Sequence, residues 1–401
     1  MQTLFYLGMI FVLGAISQYL SYKLYIPRVV GYLILGLLIG PEVLALIPRE
    51  FVENSHVITD LALSVIAVLV GATLKLSRLK GHGKEIVSIT LFQSIGTFIS
   101  VAIGFALLGN TLGLPHEHVL LTALLLAGIA TATAPATPIA IVRELGAKGR
   151  FASTFLAIVA TDDAIALIMF ALALAIGSTM ILDGGFGWNS LLDASVLILF
   201  SSMLGVISAL INTVLEKILT QYKAMETIAT LGLIFIVYSL SEHWKLEPLL
   251  SAMVMGVVMV NTSADFDIVE KEIDQHLAEL IFMLFFILSA MHFHFSALFT
   301  FPLAIGLYIL LRLFGKVGGS YFGALISGSD DIIKKYMGLA LLPQAGVAIG
   351  LALSLQKQDG LELIAPIILN IIITTTLIHE LVGPFFIRYA IKKSAEADKS
   401  I

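Results

Sequence analysis

Apolar runs of about 20 residues, the length a helix needs to cross a hydrocarbon core, alternate along this chain with short polar segments. The runs are too long and too uniformly apolar for barrel strands, which alternate residue by residue. They predict about thirteen membrane-spanning helices, near 2–22, 27–46, 56–75, 86–109, 118–142, 151–178, 190–215, 224–242, 246–260, 277–296, 300–327, 335–356 and 361–389. The fold class expected is therefore an all-α polytopic membrane protein, read as one transmembrane unit over 1–401. The first run has no basic residue before it and no small-residue cleavage site, so it reads as a retained helix. No soluble domain is expected. The longest polar stretch, about Asn261–Gln275, reads as a short acidic loop, and the tail after Arg388 is too short to fold alone.

Composition sharpens this picture. Of 401 residues, 58% are hydrophobic and 13% charged, with a mean hydropathy of +1.00. A soluble chain carries roughly 25% charged residues, so a large soluble enzyme and a disordered chain are both excluded. With no cysteine, disulfides and thiolate metal sites are ruled out. The net charge of -5 and the absence of a basic stripe give no reason to expect nucleic acid. Lysine and arginine mark cytoplasmic loops. With the N-terminus outside and thirteen spans, the inside loops and tail carry 18 of them and the outside loops only Arg49, Lys245 and Lys357. The location expected is a bacterial-type plasma membrane, with the C-terminus in the cytoplasm.

A few residues do not belong in lipid. Asp162 and Asp163 lie well inside the sixth span, where each carboxylate costs at least about 2.5–3.5 kcal/mol on insertion scales. A carboxyl group withdrawn from water binds its proton more tightly, so it is suited to exchanging a proton for a cation. The structural alternative is a buried pair satisfied by hydroxyls or a basic partner. Neighbours on a helix point about 100° apart, so the two aspartates should face different partners. Lys316 and Arg312, four residues apart on one face of the eleventh span, need anions if they are buried. Asp162 and Asp163 are the intramembrane anions best placed, and snorkelling to an interface is the alternative, more plausible for Arg312 than for Lys316.

The fifth span contains Thr131-Ala132-Thr133-Ala134-Pro135-Ala136-Thr137-Pro138. Its prolines interrupt the helical ladder, and such breaks expose carbonyls and half-helix ends suited to ions. A plain proline kink is the alternative. The twelfth span has a matching irregularity, Pro343-Gln344-Ala345-Gly346. The two breaks are seven spans apart, an odd shift, so 27–178 and 246–389 read as inverted repeats, with 1–22 and 190–242 as additional helices. Gln93 and Asn370 read as interhelical hydrogen-bond partners, Glu380 beside His379, late in the last span, as a packing or gating residue near the cytoplasmic face, and His292 and His294 as interfacial residues.

At this point the chain resembles a known family, the monovalent cation–proton antiporter superfamily, specifically its electrogenic bacterial sodium/proton branch. The likeness rests on the segment from Ile26 to Pro41, on Thr133-Ala134-Pro135, on the paired aspartates in Thr161-Asp162-Asp163, and on Gly315-Lys316. It implies thirteen helices with inverted repeats, two crossed discontinuous helices, a mobile core, a dimerisation part and a homodimer. It implies that Asp163 carries the cation and proton, that Asp162 partners Lys316, and that Thr133 and Thr161 lie near the ion. Some relatives have an acidic residue where this chain has Ala134, which leaves the half-helix ends to be balanced by neutral groups. The nucleotide-gated potassium-efflux relatives carry a soluble domain after the last span, and the stop at Ile401 is taken against that subgroup.

The function expected is secondary sodium/proton antiport, with lithium as a further substrate, no enzymatic activity and no cofactor beyond the transported Na+ and H+. Potassium/proton exchange and a cation channel are the alternatives. An acid–base enzyme is disfavoured, because adjacent aspartates diverge on a helix whereas a dyad needs facing carboxylates.

Overall fold

The computed structural model describes residues 2–24, 26–75, 83–183, 188–219, 223–263, 266, 269, 272–294, 300–358 and 360–396. Among them the chain is helical, with no strand. The helices are α1 (Gln2–Leu24), α2 (Arg28–Ile39), α3 (Arg49–Glu53), α4 (His56–Ala72), α5 (Gly83–Leu108), α6 (Val119–Ala130), α7 (Ala136–Glu144), α8 (Arg150–Asp183), α9 (Trp188–Leu219), α10 (Lys223–His243), α11 (Pro248–Thr262), α12 (Glu279–Met291), α13 (Pro302–Ser327), α14 (Asp331–Ala340), α15 (Gly346–Ser354) and α16 (Ala365–Lys393). Seven of these elements are long and apolar enough to cross a membrane on their own. With the shorter ones, and with α6–α7 and α14–α15 each counted as one interrupted span, they match the thirteen expected.

Two boundaries differ for local reasons. The second span was expected to reach 46, but α2 stops at Ile39. Pro41 has no N–H to continue the ladder, and the chain then turns through Ala45, which takes a left-handed φ of 50°. The stretch about Asn261–Gln275 is not simply a loop. From Glu272 it is helical, with a π-helical turn over Ile273–Ala278 leading into α12. Residues 264–265, 267–268 and 270–271 of that stretch, together with Arg78, Lys80 and Lys399 of the charge count, lie outside the described residues.

The chain divides into two compact units. One comprises Met1–Leu24, Gly31–Arg78 and Phe186–His292. The other comprises Tyr25–Val30, Leu79–Gly185 and Phe293–Ile401, and so holds α5–α8 and α13–α16.

In the second unit, α5 and α13 lie backbone to backbone. A Cβ on Gly315 would fall 2.4 Å from Thr97 Cα, one on Gly319 2.4 Å from Phe92 O, and one on Gly323 2.7 Å from Ile89 Cα. Small residues every fourth position let membrane helices approach this closely. Hydroxyls then stitch the seam: Ser88 donates to Gly323 O at 2.9 Å and Ser100 to Leu311 O at 2.9 Å. At one end of this unit, Arg150 pairs with Glu85 at 3.2 Å and Asp330 at 2.9 Å. There Glu396, just beyond α16, accepts the Phe151 and Ala152 N–H groups at the start of α8, at 2.8 and 2.9 Å. The outer turns of α8 and α16 are thereby held at one level.

Candidate functional site

The two interrupted spans meet at their breaks, where the Ala134 N–H donates to Pro343 O at 3.0 Å. Each break has a proline at its centre. Pro135 lies in the gap between α6 and α7, and Pro343 in the gap between α14 and α15. Pro138 behaves differently. It sits in the first turn of α7, where a helix needs no donor, so it costs the ladder nothing. Gln344 reinforces the crossing by donating to Ile129 O at 3.1 Å and to the Tyr308 hydroxyl at 2.9 Å. Gly346 is the first residue of α15.

A half-helix C-terminus leaves carbonyls without partners and carries partial negative charge. Arg312 takes up these groups. Its guanidinium donates to Ala130 O at 3.0 Å, Ala132 O at 2.7 Å and Leu342 O at 2.5 Å. Lys316, one turn on, donates to Thr131 O at 2.5 Å. Both side chains are fully buried. Arg312 thus does not snorkel, and its hydrogen bonds go to backbone carbonyls rather than to an aspartate. The guanidinium fork suits several fixed acceptors at once.

Lys316 also reaches the aspartate pair. Its ammonium donates to Asp162 Oδ2 at 2.8 Å and to the Thr133 hydroxyl at 2.8 Å. Asp162 is saturated. Thr133 and Lys316 donate to Oδ2, while Gln93 and Ser94 (the latter at 3.0 Å) donate to Oδ1. Asp163 is placed otherwise. It is 3% exposed, it faces the Thr133 backbone N–H, and its Oδ1 has no hydrogen-bond partner among the described residues. The adjacent carboxylates differ because the helix turns them towards different neighbours. Gln93 Oε1, next to Asp162, is likewise buried without a partner.

Thr161 follows a third direction. Its hydroxyl is engaged with Thr90 at 3.1 Å and with Ala157 O and Ile158 O at 3.1 and 2.9 Å. Thr131 closes its own helix end by donating to Gly128 O at 2.7 Å. Thr137, in the first turn of α7, donates to Glu380 Oε2 at 2.7 Å.

That contact corrects the expectation that neutral groups balance the half-helix ends in place of Ala134. Arg312 and Lys316 cover the carbonyl ends, and the fully buried Glu380 stands at the α7 N-terminus. Sequence reasoning left Glu380 as packing or gating and Gln93 as a generic bonding partner, and passed over Ser94 and Tyr308. An ionisable residue within an apolar span was the available signal for Glu380.

The profile of the transmembrane sodium/hydrogen exchanger family matches residues 8–393. The chain belongs to that family. It is a cation–proton antiporter, a multi-pass membrane transporter and not an enzyme. The chain is 23% identical over 410 residues to the Na(+)/H(+)-K(+) antiporter GerN of Bacillus cereus, covering 99% of this chain and 98% of the relative. It is 24% identical over 355 residues to the probable Na(+)/H(+) antiporter GerT of the same organism, covering 87% and 90%. Its fold is similar to that of the sodium proton antiporter MjNhaP1 from Methanocaldococcus jannaschii, with a TM-score of 0.77, 23% identity and 98% of each chain covered.

Proposed function

We propose that the protein exchanges sodium, and the smaller lithium, for protons by alternating access, and that each cycle moves net charge. The observation that carries this reading is the inequivalence of the two adjacent carboxylates. Asp163 has a buried oxygen with no hydrogen-bond partner among the described residues, which suits it to alternate between a cation and a proton. Asp162 is held by four donors, one of them the Lys316 ammonium. When a cation draws on Asp162, the lysine loses its counter-ion and can release its proton. Asp163 and Lys316 then each give up a proton for one monovalent cation, and two charges against one moves net charge.

In this reading Thr133 lies beside the ion, while Arg312 and the segment around Ala134 and Pro343 hold the crossing open. The residues 27–178 and 246–389 form inverted repeats, the N-terminus lies outside, and the working unit is a homodimer. Potassium is the second candidate substrate, because the name of the relative GerN includes it. Reconstituted protein under an imposed pH gradient, screened with lithium, sodium, potassium and rubidium, tests the reading. Proton movement driven by sodium and lithium supports it. A response to potassium alone would transfer the assignment to potassium/proton exchange, and conduction without proton coupling would mark a channel.

A further inference from the structure

Glu380 has no part in the mechanism above, yet it is a fully buried carboxylate in the unit that carries the aspartates. It lies thirteen residues from the Lys393 end of α16, and Asp162 lies twelve from the Arg150 start of α8. At 1.5 Å per residue these are about 20 and about 18 Å. Those two helix ends are tied together through Glu396, so Glu380 sits at nearly the depth of the aspartates.

Its surroundings are equally specific. Oε2 accepts from Thr137 at the head of α7, where helix dipoles favour negative charge. Oε1 has no hydrogen-bond partner among the described residues. Pro384, four residues on, withholds the N–H that would have bonded the Glu380 carbonyl. Gly383 lets α16 lie against the second break, since a Cβ there would fall 2.6 Å from Pro343 Cγ. Arg312 on α13 is the charged group that acts on it, and His379 is its sequence neighbour on its own helix. Arg312 is within electrostatic reach of both Asp162 and Glu380.

We propose that Glu380 sets the cation affinity of the site. Three buried carboxylates, Asp162, Asp163 and Glu380, face two buried cations, Arg312 and Lys316. With all five ionised the cluster carries one excess negative charge, which one monovalent cation or one proton neutralises. Without Glu380 the cluster balances with nothing bound, and the drive to take up an ion falls. This rests on the reading that Asp163 carries the ion, and Glu380 acts on that ion through its field.

A unit charge roughly 10 Å from a bound cation, at an effective dielectric of about 20, changes affinity about tenfold. The test is half-saturating sodium and maximal rate in proteoliposomes for the parent, Glu380→Gln, Glu380→Asp and Asp163→Asn, each with a melting curve. Glu380→Gln should raise half-saturating sodium about tenfold, with the maximal rate changed far less. It should also move proton inhibition to lower pH, because the same field holds the competing proton. Glu380→Asp, which keeps the charge but withdraws it by one methylene, should raise half-saturating sodium by a smaller factor. Unchanged half-saturation in Glu380→Gln overturns the proposal, since it means the group is already neutral. A loss of melting temperature or rate without a change in half-saturation overturns it too, as that marks a packing role. If the glutamine variant does not fold, Glu380→Met takes its place. If neither folds, Glu380→Asp decides, because withdrawing the charge by one methylene must still shift half-saturation. Active Asp163→Asn would instead refute the site reading beneath the proposal.

Discussion

The same packing device serves two different ends in this protein. In the first unit α4 and α11 cross through reciprocal glycines. A Cβ on Gly71 would lie 2.0 Å from Met253 O, and one on Gly256 2.1 Å from Val68 O. The side chains beside that crossing, Val68, Ala72, Met253 and Val260, are buried and apolar. In the second unit α5 and α13 approach through Gly315, Gly319 and Gly323, but their shared level also presents Gln93, Ser94, Arg312 and Lys316, all fully buried. In the first case the close backbones bring apolar side chains together at the crossing, with Asn261 donating to Leu74 O at 2.9 Å at the end of the pair. In the second they bring donors from two helices onto one carboxylate and two helix ends, at distances side chains can reach. Glycine spacing therefore identifies where helices meet, and the polar residues between the glycines decide whether the meeting does chemistry.

The comparison predicts effects of very different size. Asp163→Asn should abolish exchange, by more than about 100-fold, while melting is retained, because the change removes the charge and not the volume; transport near the parent level would show that the charged seam serves some other residue. Lys316→Gln should be the most destabilising change in that seam, since breaking a buried pair costs about 3–5 kcal/mol. Solid-supported-membrane currents on sodium jumps should shrink or vanish in the same variant. Unchanged melting and current would remove Lys316 from the mechanism.

Gly319→Val and Gly256→Val set the seams directly against each other. Each should destabilise, by about 1–3 kcal/mol or more, as seen in melting curves. Only Gly319→Val should also alter half-saturating sodium, since only there do the separated helices carry Asp162's donors; equal kinetic effects would erase the distinction. In the parent, sodium and protons should compete for Asp163. Half-saturating sodium should then rise as pH falls, by up to about tenfold per unit where the carboxylate is protonated, and a flat dependence at zero membrane potential would refute direct competition. The smallest effect should come from Thr161→Ala, about twofold or less in half-saturation, because that hydroxyl is engaged with Thr90 and its own helix. A large loss there would move Thr161 to the ion.

The thirteen spans and the two breaks were legible because lipid imposes a length on helices and proline imposes an interruption. The aspartates and Lys316 stood out because charge is expensive within an apolar run. Gln93 was legible only as an interhelical hydrogen-bond partner and Ser94 not at all, since neutral polar residues in a span are common and their partners lie far along the chain. The glycine stripe of α13 was visible in the sequence as a four-residue spacing, but its partner helix was not.

Sequence alone determined that this chain spans a membrane repeatedly and holds a few charges that need partners, because solvation in lipid acts residue by residue. Only the tertiary structure decided which charge met which. Asp162 and Asp163 are chemically identical neighbours, and their difference arises from what α5, α13 and the α6–α7 break present to each side of α8. Arg312 went to carbonyls because two half-helices end beside it, and Glu380 came to the α7 N-terminus because Gly383 lets α16 close on Pro343. Those pairings depend on directions and distances between helices remote in sequence, which no local pattern encodes.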